Sequence, residues 1–133
     1  MPQLWFPVKI YRGHYCVTVD YDYMTHLTDS MIVFHGMETY FQELGDVQKK
    51  GKKSWTYTIF DDFYTNKYTI ELKPSKKIKG LYIQSAYNPK GKCIEKSLVV
   101  PYENLKYFPV IKSDNKCGLW YLDYEEPNYP WLE

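Results

Sequence analysis

His14, Cys16, Asp20 and Asp22 occupy even positions along a run whose odd positions are Tyr15, Val17, Val19, Tyr21 and Tyr23. Imidazole, thiolate and carboxylate are all metal ligands, and a histidine beside a cysteine can activate a nucleophile. A period of two puts the four on one face of a strand, where side chains two apart are separated by about 6.6 to 6.8 Å. His14 and Asp22 are then too far apart to share an ion. The remaining histidines, His26 and His35, lack a partner at helix-type or finger-type spacing. No closed ligand set is visible, so neither a metal nor any other cofactor is expected, and the even face reads as a polar face turned to water. Asp61 and Asp62 are a second pair suited to acid–base or metal work. Adjacent residues of an extended chain point opposite ways, however, and acids in strand connections commonly bond the backbone.

The chain has none of the phosphate-cradling glycine loops, nucleophile elbows, zinc-protease helices or deaminase and kinase signatures that would indicate a reaction. Chemistry concentrates instead in charge and aromaticity. Net charge is +1, but residues 49–96 hold twelve lysines against four acids, while residues 1–48 and 97–133 are both acidic. Lys52, Lys53, Lys67, Lys76, Lys77 and Lys79 could contact phosphates, with Trp55, Tyr57 and Tyr68 stacking on bases. Arg12 is the one arginine, although arginine is preferred for bidentate base and phosphate contacts, and the pI is about 7.6. Binding through these lysines is thus expected to be nonspecific and salt-sensitive. Most of them fall in turns, where a solvated lysine is also the ordinary finding.

At the other end, Trp120, Tyr121, Tyr124, Tyr129 and Trp131 are interspersed with Asp123, Glu125 and Glu126. Aromatic anchors supply contact area and carboxylates steer a basic partner. Tyr129 and Trp131 lie beyond the last expected strand, and an exposed aromatic tail needs intramolecular docking or a partner.

The elements that must position these groups follow from periodicity. Alternation predicts strands over Leu4–Arg12, Tyr15–Met24, Trp55–Ile59 and Tyr68–Leu72, and a short apolar strand over Met31–His35. Residues 81–87 and 92–100 form a hairpin across Asn88-Pro89-Lys90-Gly91, and Pro101–Leu105 a single helical turn. Residues 107–112 and 117–124 suggest a third hairpin, and Thr25–Ser30 a polar loop. Met37, Tyr40, Phe41, Leu44 and Val47 follow a helical stripe, which predicts one helix near residues 37–50. With 15 tyrosines and an aromatic fraction of 19%, the chain is suited to half-buried sheet. The expected fold is therefore mainly β (α+β): an antiparallel sheet of about seven or eight strands, strongly curved around the helix or closed as a small barrel.

Length and the lack of linkers or repeats predict one domain over residues 1–133, with an extended C-terminal tail over 125–133. Three widely spaced cysteines, Cys16, Cys93 and Cys117, do not make a disulfide framework. There is no signal-peptide pattern and no membrane-spanning run, so a reducing cytoplasm is the expected compartment. The closing Leu132-Glu133 reads equally well as an appended dipeptide and carries no argument.

Three functional classes remain. The leading expectation is a small intracellular protein-binding module, such as an inhibitor or immunity-type protein that masks a partner protein, with Tyr124, Glu125, Glu126, Tyr129 and Trp131 in contact. The alternative is a nonspecific nucleic-acid-binding β domain acting through segment 49–96. The third is a ligand-binding or enzymatic barrel whose lumen is lined by His14, Cys16 and tyrosines.

Overall fold

The computed structural model describes residues 1–11, 14–18, 24–28, 30–34, 40–60, 65–108, 110–111 and 124–125. The strands are β1 (Leu4–Tyr11), β2 (His14–Thr18), β3 (Thr25–Leu27), β4 (Met31–Phe34), β5 (Tyr40–Lys49), β6 (Trp55–Phe60), β7 (Lys67–Pro74), β8 (Tyr82–Tyr87), β9 (Cys93–Pro101), β10 (Val110–Ile111) and β11 (Tyr124–Glu125). A 3-10 helix, Tyr102–Tyr107, follows β9. β3 to β9 pair in sequence order, and β1 closes the ring by pairing β9 on one edge and β3 on the other. Eight antiparallel strands thus form a closed barrel, the second of the two architectures the sequence allows.

β1 also leads out of that barrel. Trp5, Phe6 and Pro7 face Pro101, Val100 and Val99 of β9. Beyond Pro7, which has no N–H to give to a ladder, Val8–Tyr11 pair with β2, and Ile10 and Tyr11 with β11. β10 lies parallel to the far side of β2. The first of the strands expected to form a third hairpin therefore reaches β2, and residues 117–123 of the second lie outside the described residues.

Alternation sorts the apolar side chains into two cores. Trp5, Leu27, Ile32, Tyr57, Ile70, Leu72, Tyr82 and Val99 fill the barrel, with Phe34, Leu44, Trp55, Ile59 and Ala86 packed on them. The opposite faces of β1, β8 and β9 supply Phe6, Val8, Ile83, Leu98 and Val100, which pack with Val17, Leu81 and Phe108 in a second core beneath β2 and the 3-10 helix. Burial at roughly 25 cal/mol per Å² of apolar surface makes these two clusters the main stabilising term.

The helix expected near residues 37–50 is not formed over its described part: Tyr40–Lys49 are strand β5. The apolar stripe that suggests a helix is split between two faces. Leu44 packs inward, whereas Phe41 and Val47 are 62% and 46% exposed. A β-bulge between Gly45 and Gln48 hides the period of two, and pairing on both edges, with β4 and β6, overrides local propensity. Gly45 is set by close approach, since a Cβ there would lie 2.7 Å from Thr58 Oγ1. Asp46 takes the left-handed conformation, φ 36°. A second correction concerns Thr25–Leu27, expected as loop but paired with both β1 and β4. Three residues are too few to carry a visible alternation.

Candidate ligand cavity at one end of the barrel

The two ends of the barrel differ. At one end Trp5, Trp55 and Tyr82 form a plug: Trp5 meets Tyr82 edge-on at 5.0 Å between centroids, and Trp55 stacks on Tyr82 at 6.2 Å. The Trp5 indole N–H donates to the Pro2 carbonyl at 2.8 Å, so the ring is buried without an orphaned donor. Leu72 lies fully buried in the same core.

Toward the other end the described side chains do not fill the lumen. A cavity of about 260 Å³ is lined by Phe34, Tyr57, Ile59, Tyr68, Ile70, Gln84, Ala86, Ile94, Glu95 and Ser97. The inward positions of β4, β6, β7, β8 and β9 supply it. A bulge opposite Ala86 and Tyr87 brings Ile94 to the same wall. Eight-stranded barrels have an interior just wide enough to be filled by side chains or to hold one small ligand; here the described side chains fill one end and leave a cavity toward the other.

The cavity is mostly apolar with a few polar groups. Tyr57 is 3% exposed, and burial raises its phenol well above the ordinary value. Among the described residues its hydroxyl has no hydrogen-bond partner, and neither has the carboxamide of half-buried Gln84. Both are hydrogen-bonding groups on the cavity wall. Ser97 is half-buried, and Glu95 is exposed at the rim. Among the described residues, neither lysine nor arginine lines the wall. Gln42, in contrast, donates to the Phe60 carbonyl at 3.1 Å.

The sequence-predicted residues are distributed as follows. His14 is exposed, and Cys16 is 3% exposed, its thiol 3.5 Å from the His14 carbonyl. Both belong to β2, off the ring, so they do not line the lumen; the expected wet face of β2 is buried at Cys16. Asp20, Asp22, Asp61 and Asp62 lie outside the described residues, among which no three metal-binding side chains gather. Lys52 and Lys53 sit on the β5–β6 turn, and Lys76, Lys77 and Lys79 on the β7–β8 loop, at the plugged end. Lys67 begins β7 at the cavity end, where it pairs with Asp46 at 3.3 Å. The aromatics expected to stack beside these lysines turn inward: Trp55 is in the plug, and Tyr57 and Tyr68 line the cavity. Tyr124 and Glu125 pair through their backbone with β1, and Glu126, Tyr129 and Trp131 lie outside the described residues.

No family model, curated protein or solved structure matches the chain. Function must therefore be argued from this geometry. Among the described residues, no helix is long and apolar enough to cross a membrane.

The cavity was only half visible in the sequence. Alternation groups Tyr57 with Ile59 and Tyr68 with Ile70, but nothing local reports that those faces look across a lumen. Gln84 and Ser97 carried no signal beyond their inward parity.

Proposed function

We propose that the protein binds one small, largely apolar, uncharged or cationic molecule in the barrel cavity, with a hydrogen-bonding group directed at Tyr57 and Gln84. The observation that carries this reading is an apolar lumen left unfilled by the described residues, with two polar side chains that have no partner among them, the ordinary composition of a small-ligand site. Its volume of about 260 Å³ lies just under the range for drug-sized ligands, about 300 to 1,000 Å³, which favours a compact occupant. A carboxylate or phosphate is disfavoured, because among the described residues no cation lines the wall and Glu95 stands at the rim.

The test is displacement of a neutral fluorescent probe, N-phenyl-1-naphthylamine, followed by a thermal-shift screen of neutral and amine ligands. Saturable one-to-one binding is expected, and Ala86→Phe, which fills the lumen, should weaken it at least about tenfold while the protein remains folded. Absence of saturable probe binding by folded protein, or full retention in Ala86→Phe, would overturn the reading. A ligand present at one hundred times its Kd would add about 2.7 kcal/mol of apparent stability.

A masking role toward another protein is the second reading, favoured by the docking of Tyr124 and Glu125 on β1. That backbone pairing sets Tyr124 and Glu125, two of the expected contact residues, beside Tyr11 and Ile10. Loss of a captured partner on deletion of residues 126–133, with the probe site intact, would support it.

A further inference from the structure

We propose that the plugged end of the barrel is a docking face for an anionic lipid surface. The assignment is independent of the cavity reading and rests on what three connections bring together. The end of β5 and the turn after it carry Lys49, Lys50, Lys52 and Lys53, and the β7–β8 loop carries Lys76, Lys77 and Lys79. Lys49 is level with Trp55, Trp55 with Leu72, and Pro74 with Tyr82, so both connections leave neighbouring strands at the same end. The 3-10 helix adds Lys106 and is tied to the loop by Asn104, whose Nδ2 donates to the Gly80 carbonyl at 3.0 Å. All eight lysines are exposed, and Glu103 is the one carboxylate on these three connections.

Apolar groups are interleaved with the charge. Tyr102 is 59% and Tyr107 44% exposed beside them, and the Lys79 and Lys106 ammonium groups lie 4.9 and 5.4 Å from the Tyr107 ring centroid. Val47 and Met1 are further exposed apolar side chains at this end. Clusters of four to eight basic residues suit the negative surface of a bilayer. Tyrosine and lysine, with apolar bodies and polar tips, fit the headgroup layer. Lysine serves here as well as arginine, because a mobile headgroup layer asks for point charge rather than a bidentate fork. Nucleic acid is the less suitable polyanion, since Trp55, Tyr57 and Tyr68, the rings expected to stack on bases, face the lumen instead.

Co-sedimentation with phosphatidylcholine vesicles, with and without phosphatidylserine, tests the proposal. Binding should require phosphatidylserine, fall as salt rises, and weaken at least about tenfold in Lys52→Glu/Lys53→Glu, given about fivefold per lysine. Tyr102→Ala/Tyr107→Ala should weaken it too. Lys90→Glu/Lys92→Glu, which changes the turn at the opposite end, should leave it unchanged. Melting curves check that each variant is folded, and Lys79→Gln/Lys106→Gln reads the same face should the first pair fail. Equal binding to both vesicles, or equal loss in Lys90→Glu/Lys92→Glu, would overturn the assignment. So would a single-stranded oligonucleotide that competes the protein off vesicles at equal phosphate and depends on the same lysines; the partner would then be nucleic acid.

Discussion

Trp5 and Tyr57 show how differently two buried aromatic residues can be used. Trp5 is 2% exposed, its N–H satisfied and its ring wedged against Tyr82. Trp5→Ala should cost about 3 to 5 kcal/mol in urea unfolding, the usual range for deleting a large core aromatic. Tyr57 is as deeply buried but its hydroxyl has no partner among the described residues, and its phenol titrates above the ordinary value of about 10 because ionisation in the core is disfavoured. The unfolded chain therefore releases this proton first, so stability is fully present below about pH 10 and declines above it, by at most about 1.4 kcal/mol per pH unit for this one group. Tyr57→Phe should flatten that alkaline decline in melting curves taken on either side of pH 10. Some slope remains from Tyr82, whose phenol is also raised by burial and then by Glu103. At this scale the sequence was informative about facing: the period of two assigns Tyr57, Ile70 and Leu72 to a buried face. It misplaced Cys16, because one strand's pattern cannot say whether a second layer covers its other side.

At the scale of elements, β5 is the instructive case. Its bulge carries Asp46 at φ 36°, a conformation that costs an ordinary side chain about 1 to 2 kcal/mol. Asp46→Val should therefore destabilise by about that amount, while Asp46→Gly should stay within about 1 kcal/mol of the parent. The exposed ion pair to Lys67 contributes little in either comparison. Gly45→Ala is expected to cost about 1 to 3 kcal/mol, because the new methyl meets the stiff, buried Thr58 hydroxyl. Denaturant titrations of the three variants separate strain from crowding. The same bulge explains why the strand looked helical in sequence: one inserted residue shifts the alternation, and the resulting spacing of Phe41, Leu44 and Val47 imitates a helix. The hairpins of β6–β7 and β8–β9 were legible because both their alternation and their turns are local. In the second, Asn88 Oδ1 accepts from the Lys90 and Lys92 N–H groups at 3.0 and 2.9 Å, and Gly91 takes φ +83°.

For the molecule as a whole, closure depends on β1 meeting β9, with Phe6 opposite Val100. Such non-local pairing cannot be read from a window of sequence, which is why the sequence alone is compatible with both a barrel and a curved sheet. It also sets the folding rate. The chain should refold on the millisecond-to-second timescale of β barrels rather than in microseconds, as stopped-flow fluorescence would show. A last consequence comes from the aromatic plug of Trp5, Trp55 and Tyr82. For the ligand proposed above it makes the lumen a cul-de-sac: such an occupant cannot pass through the barrel and must leave by the way it came. Two molecules then exchange strictly in turn, and a newcomer waits for the vacancy rather than pushing the resident out. The departure rate of a bound probe should accordingly be the same at every concentration of the competitor that replaces it.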